Sequence, residues 1–194
     1  SIGVHPHSAS NDIINLDDIL NQLKHPKVVG VGETGLDYHY NYSSKEDQIQ
    51  SFRVHCAASS ISGLPLIIHN RLSDNDILQI LNEEKKKNTN LKGVIHCFTA
   101  SNEFAQECIE LGFLISFSGI ITFKNAIDLQ NTVKNIPLDK ILIETDAPYL
   151  APVPFRGKTN EPSYVVETAK KLSELHDVPL EKIADSTTNN FFKL

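Results

Sequence analysis

Four short apolar runs in this chain of 194 residues each lead into a residue able to ligate a metal. Val28–Gly32 leads into Glu33, Leu66-Ile67-Ile68 into His69, and Val94-Ile95 into His96. Ile141-Leu142-Ile143 leads through Glu144 and Thr145 into Asp146. The four residues stand 36, 27 and 50 positions apart. Residues so spaced meet when the runs are parallel strands, because α/β proteins gather their chemistry at the carboxyl ends of such strands.

The segments between the runs have the spacing of helices. A helix is expected over about 12–24, capped by Ser10 or Asn11 and carrying Ile13, Ile14, Leu16, Ile19, Leu20 and Leu23. Ser44 followed by Asp47 opens a second, in which Ile49, Phe52, Cys56 and Ala57 keep the 3.6 period and Gly63 with Pro65 ends it. Ser73 and Ser101 start two more, and a short helix follows near 125–134. The tail Glu83–Lys87 reads as a solvated charge run. Strands are expected at Gly93–Phe98, Phe113–Ser118 and Ile141–Asp146. Pro148–Pro162 is a long loop rich in Pro and Gly, of the kind that is functional or disordered. Pro162 then suits the first turn of a helix, and Pro179 starts the last. The strand–helix alternation at roughly 30 residues per unit is what a parallel βα architecture needs.

Bulk properties narrow the class. At 40% apolar, the chain fits a single domain over 1–194 with one sizeable core. No apolar run approaches the roughly 20 residues of a membrane span, and no secretory leader is visible. Three cysteines without a CxxC pair fit a reduced, cytoplasmic setting. A net charge of −6 argues against broad binding to a nucleic-acid backbone, though bound divalent ions supply local positive charge to an enzyme acting on DNA. There is no Met, and Ser1-Ile2-Gly3-Val4 reads as a strand already under way. The expectation is a piece of a longer chain.

One motif is discounted. Gly30-Val31-Gly32-Glu33-Thr34-Gly35 matches the dinucleotide fingerprint GxGxxG. That fingerprint must open a helix at once, so that phosphate meets free N–H groups. Here Leu36–Tyr40 follows, and Glu33 inside the cradle would repel phosphate.

Glu33, His69, His96 and Asp146 mix imidazole with carboxylate, a set suited to zinc, manganese or iron and, with more oxygen donors, magnesium. Taken singly, each fits a structural role as well: a satisfied polar group, or for Asp146 a turn cap.

Taken in order, Gly3-Val4-His5-Pro6-His7, Gly32–Asp37, Pro65–Arg71, His96–Ser101, Ile115–Gly119, Glu144–Leu150 and Arg156–Pro162 resemble successive signatures of the TatD family from Gly3 to the end of the chain. The resemblance implies a TIM (β/α)8 barrel of the metal-dependent-hydrolase type, incomplete here with about six of eight strands. It implies a divalent-metal-dependent deoxyribonuclease in which water cleaves DNA phosphodiester bonds. Glu33 would bridge two ions (Mg, Mn or Zn), His69 and His96 would complete one site, and Asp146 would serve the other and accept a proton from water. A family His-x-His pair on the first strand has no counterpart, so one site is expected largely retained, the other depleted, and the chain by itself inactive or weakly active. His5-Pro6-His7 matches the third-strand motif and is expected to face substrate rather than metal.

Further residues are expected at the substrate. Arg71 and Arg156 follow strands and suit phosphate, as do Lys158 and Asn160 in the long loop. His7 joins them through its motif. Tyr38, His39 and Tyr40 are placed to stack a base or to pack as an ordinary loop. Arg53 is expected to be structural, Cys97 to lie in the core, and Glu144 to support Asp146. DNA is the expected partner; no membrane or protein partner is inferred. Two rivals stand: a same-fold hydrolase of a lactone, amide or phosphate ester, and a non-catalytic binding remnant.

Overall fold

The computed structural model describes residues 1–194. Two compact units emerge, one of Ser1–His96 with Glu110–Phe113, the other of Cys97–Ile109 with Leu114–Leu194.

The first unit carries strands β1 (Val31–Asp37), β2 (Leu66–Arg71) and β3 (Gly93–Ile95) and helices α1 (Leu16–Leu23), α2 (Lys45–Ser62) and α3 (Asp74–Lys87). β1 pairs parallel to β2, and β2 to β3. The stub before β1 also pairs with it: Ile2 bridges Val31, with Ile2 N–H donating to Gly30 and Gly32 N–H to Ile2. Five strands and this bridge match the expected five strands plus a stub.

β1 lies further along the chain than its apolar run. Val28 closes a turn on His25, Val29 is exposed, and the ladder to β2 begins at Val31. The register then slips between Val31 and Thr34, which puts Gly32 and Glu33 in a bulge. Bulges re-aim side chains, and here the re-aimed residue is Glu33. The glycines of the GxGxxG string serve this packing. A Cβ on Gly32 would lie 2.5 Å from the Ile67 carbonyl oxygen, and one on Gly35 2.1 Å from that of His69. Both glycines also have positive φ. No helix opens after Gly35, as expected.

Helix α2 is capped by the Ser44 hydroxyl, which accepts from Asp47 N–H, and ends on Gly63 in the left-handed conformation. Its buried face holds Phe52, Cys56 and Ala58 beside three polar residues, Gln48, His55 and Ser59. Each polar residue bonds to backbone outside the helix. Gln48 takes Asp37 N–H at 2.8 Å and donates to Asp37 and Ser43 carbonyls. His55 Nε2 accepts from Val4 N–H at 2.9 Å, and Ser59 donates to Leu64.

Two expectations need correction in this unit. Helix α1 starts at Leu16, capped by Asn15, because Ser10 is engaged by Asp47 and Ser44 and Ile13 is exposed. Ser73 does precede α3, as expected, with its hydroxyl turned to the Leu36 carbonyl and Asn70 Oδ1. The run Glu83–Lys87 is not simply solvated. Glu84 is buried, with Arg53 at 3.1 Å and Lys87 at 2.7 Å, and Arg53 also reaches Glu83 at 2.6 Å. Arg53 thus ties α2 to α3, the structural role expected of it.

The second unit carries α4 (Asn102–Glu110), β4 (Leu114–Phe117), α5 (Ile127–Asn135), β5 (Ile141–Ile143), α6 (Val165–His176) and α7 (Leu180–Lys193). β4 and β5 pair in parallel, Ser116 opposite Leu142. Ser101 caps α4, accepting from Phe104 N–H, and Pro162 opens a 3-10 turn that leads into α6. β5 stops at Ile143, three residues short of Asp146. From α7, the Asn190 amide donates to the Leu138 and Ile141 carbonyls and seats the start of β5. No helix in the chain is long and apolar enough to cross a membrane.

Candidate metal centre

Three imidazoles surround one carboxylate oxygen in the first unit, with Glu33 and His69 inside β1 and β2 and His96 just past β3. Oε1 of Glu33 lies 2.9 Å from His69 Nδ1, 3.4 Å from His5 Nε2 and 3.6 Å from His96 Nε2. Glu33 comes from the β1 bulge and His69 from β2; His96 follows β3 and His5 follows the Ile2 bridge. All four side chains are partly exposed, between 15% and 33%. Burial alone would raise the Glu33 carboxyl, but the imidazoles of His5 and His69, with His96 behind them, hold it well below the usual carboxylate range. Glu33 is therefore an anion at any ordinary pH.

A second carboxylate backs this cluster. Asp37, 1% exposed, has Oδ2 2.9 Å from His7 Nε2 and 3.0 Å from His69 Nε2. Its Oδ1 accepts from the N–H groups of His39 and Tyr40. Burial opposes the charge, yet these bonds, the one from His7 first, keep its pKa below the ordinary value.

The donor set fits a divalent metal on two grounds. Metal bonds of ~2.0–2.2 Å place neighbouring donor atoms roughly 3–3.5 Å apart. The ligand atoms of His5, Glu33 and His69 lie within 4.8 Å of one another, and the contacts to Glu33 fall close to that spacing. The second ground is the His69 ring. If Nε2–H donates to Asp37, Nδ1 turns a bare lone pair on the Glu33 carboxylate at 2.9 Å. Only a proton or a cation between them relieves that repulsion. A carboxylate orienting an imidazole in this way is the usual support of a histidine ligand.

Of the residues expected from sequence, Glu33, His69 and His96 are brought together. Asp146 sits in a turn after β5 with φ of 57°, its carbonyl accepting Tyr149 N–H. Glu144 accepts from the N–H of Cys97, whose sulfur lies 3.2 Å from Ser118 Oγ. His7 is engaged by Asp37. Arg71 is exposed, 4.9 Å from the centre of the Tyr40 ring, and Arg156 lies 3.6 Å over Phe123. Lys158 is exposed near Phe155. Asn160 is not available for phosphate contact. It is 3% exposed, its amide donates to the Thr145 and Tyr149 carbonyls, and its oxygen takes Glu161 N–H, all within its own loop.

Sequence reasoning missed two residues. His5, assigned to substrate by its motif, stands in the metal-type cluster. The signal was present: it too follows an apolar run, Ile2-Gly3-Val4. Asp37, four residues after Glu33, shares its face by the period of two and needed only a longer β1 to be noticed.

The whole chain resembles known proteins. The family pattern described as TatD related DNase matches residues 1–194. The chain is 45% identical over 194 residues to YcfH of Escherichia coli K12, an uncharacterized metal-dependent hydrolase, covering 100% of this chain and 72% of that one. It is 45% identical over 197 residues to YabD of Bacillus subtilis, similarly described, covering 100% of this chain and 76% of that one. Among solved structures, YJJV, a TatD homolog from Escherichia coli K12, superposes with a TM-score of 0.89 at 28% identity, over 99% of this chain and 74% of that one. A TatD family hydrolase from Entamoeba histolytica gives 0.84 at 27%, over 98% and 72%. These likenesses bear out the α/β barrel type, incomplete in this chain. With a whole-chain pattern match and relatives at this identity, the chain belongs to the TatD family of metal-dependent hydrolases.

Proposed function

We propose that this protein hydrolyses DNA phosphodiester bonds with divalent metal at the Glu33 cluster. The observation that carries the reading is the convergence of His5, His69 and His96 on one oxygen of Glu33, in a chain that matches a DNase family pattern from end to end. A bound divalent ion supplies Lewis acidity and a water acidic enough to attack near neutral pH. Glu33 and the imidazoles hold that ion. Asp37 fixes the His69 ring so that Nδ1 faces Glu33. Arg71 and Arg156 suit the phosphate, with Lys158 as a further cation. Asp146 is the proposed proton acceptor, on the strength of its motif Glu144-Thr145-Asp146 alone.

The test is turnover on single- and double-stranded oligonucleotides with magnesium or manganese. Metal-dependent cleavage that disappears in Glu33→Ala supports the reading. No cleavage of any DNA form, beside clear hydrolysis of a lactone or carboxylic ester, overturns it in favour of a same-fold hydrolase.

A further inference from the structure

The loop after β1 presents aromatic rings outward. Tyr40 and Tyr42 stack on one another at 5.3 Å with 18° between their planes. Both remain open, Tyr40 at 38% and Tyr42 at 63% exposure. Ordinary loop packing tends to cover such rings, since taking apolar ring surface from water is favourable. Tyr38, by contrast, is committed: its hydroxyl donates to Asp76 at 2.6 Å and Lys45 caps its ring at 4.1 Å.

The exposed pair is fixed in place and tied to the metal-type cluster. Asp37 holds the loop through the N–H groups of His39 and Tyr40, with the same carboxylate that touches His69. The His7 ring stands edge-on to Tyr40 at 5.3 Å and to Tyr42 at 5.0 Å, and 4.4 Å from His5 on its other side. A single imidazole therefore separates the platform from the ligand cluster. The Arg71 guanidinium lies 4.9 Å from the Tyr40 ring centre. The chain carries a net charge of −6 and only three arginines, so a cation here is a local provision. Flat π-faces beside a cation are how proteins hold unpaired bases and the adjoining phosphate.

We propose that Tyr42, backed by Tyr40, with Arg71 on the Tyr40 ring, is a stacking site for one unpaired nucleobase of the substrate strand. Base faces inside a duplex are already covered, so the site selects single-stranded DNA or frayed ends. Stacking is indifferent to base identity, so the preference is for strandedness and not for sequence. The proposal rests on the DNA-hydrolase reading for its substrate, but its test is separate.

The chain has no Trp, so Tyr42→Trp places one reporter on the platform and keeps a stacking ring. The probes are oligo-dT and the same oligomer with abasic residues, bound to the full chain with calcium in place of magnesium or manganese so that neither is cut. Oligo-dT should quench the indole emission of this variant, and the abasic oligomer should not. Tyr42→Ala should weaken oligo-dT binding by roughly 5- to 100-fold, the range of one base–aromatic stack, and leave abasic binding unchanged. Tyr42→Phe should bind as the parent does. Unchanged emission at saturating oligo-dT, equal affinities of parent and Tyr42→Ala, or no oligo-dT binding at all would each overturn the stacking site. Quenching without any cleavage when magnesium or manganese is added would instead overturn hydrolysis and leave the stacking site standing.

Discussion

Nε2 of His69 lies 3.0 Å from Oδ2 of Asp37, a carboxylate with 1% exposure. One edge of the imidazole ring is thereby fixed, and the other nitrogen is turned on Glu33. Asp37 is itself held at its backbone by Gln48, which reads both its N–H and its carbonyl. The chain from helix α2 through Asp37 to His69 orients a ligand without supplying one.

Asp37→Asn keeps the shape and removes the charge. If the amide oxygen keeps the place of Oδ2 and accepts from His7 and His69, the NH2 group faces the His39 and Tyr40 N–H groups that Oδ1 now accepts from; flipped, it faces the two imidazoles. Metal affinity should fall about 10- to 100-fold, as for other carboxylates that orient histidine ligands. Metal titration by calorimetry reads this directly. A pH effect accompanies it. The folded-state pKa of Asp37 lies below its ordinary value, so its charge contributes stability above pH ~3.9 that is lost as pH falls through the lower folded value. Asp37→Asn should lose that part of the acid sensitivity.

Much of this centre was legible in the sequence. Glu33, His69 and His96 follow apolar runs, and the strand-then-ligand rule finds them because parallel strands share one carboxyl end. His5 escaped because its strand is a single bridge, held by a side chain from a distant helix. The position of β1 escaped for a different reason. Every residue of β1 but Glu33 is buried, yet bulge, glycines and charge break the apolar pattern from Gly32 to Asp37. Asn160 was misjudged because a polar residue in an exposed loop and one that holds the loop together look the same in sequence.

Gly35→Ala tests whether the glycines of β1 serve close approach. The added Cβ would lie 2.1 Å from the His69 carbonyl oxygen, against backbone that cannot yield. Overpacking and a strained φ should together cost about 2–5 kcal/mol, and metal binding should fall with them because the clash is on His69 itself. Gly63→Ala is the control. It meets nothing within 4 Å and should cost only the left-handed conformation, about 1 kcal/mol. Urea unfolding of the two variants separates the cases.

Glu84 and Lys87 make a second pair of unequal partners. Glu84 is 9% exposed in its side chain and Lys87 66%. Glu84→Ala leaves Arg53, one-third exposed, with Glu83 as its partner. The loss should be about 1–2 kcal/mol, below the cost of orphaning a fully buried ion. Lys87→Ala should change stability by less than ~0.5 kcal/mol, as exposed pairs do. Thermal melts of both variants at one salt concentration decide the ranking.

His55 should couple stability to the site. It lies at 0% exposure in α2, and its two nitrogens have fixed tasks: Nδ1 meets the Ser51 carbonyl at 2.7 Å, and Nε2 accepts from Val4 N–H at 2.9 Å. That pairing requires the neutral ring. Burial pushes its pKa down, with the Ser51 bond opposing. The sign follows. Below pH ~6.5 the unfolded chain takes up a proton that the folded chain refuses, so stability falls as pH drops from there toward the folded value. His55→Gln should therefore flatten the decline of the melting temperature between about pH 7 and 5. A residual slope from His176, which burial shifts the same way, should remain. His55→Ala strands the Val4 N–H and should cost about 1–3 kcal/mol, or several degrees of melting temperature. Because His5 follows Val4, it should also weaken metal binding. Ser59→Ala, on the same helix face, removes a bond to Leu64 and touches no ligand-bearing segment. It should lower stability and leave metal affinity unchanged; equal losses of affinity in both variants would refute the coupling.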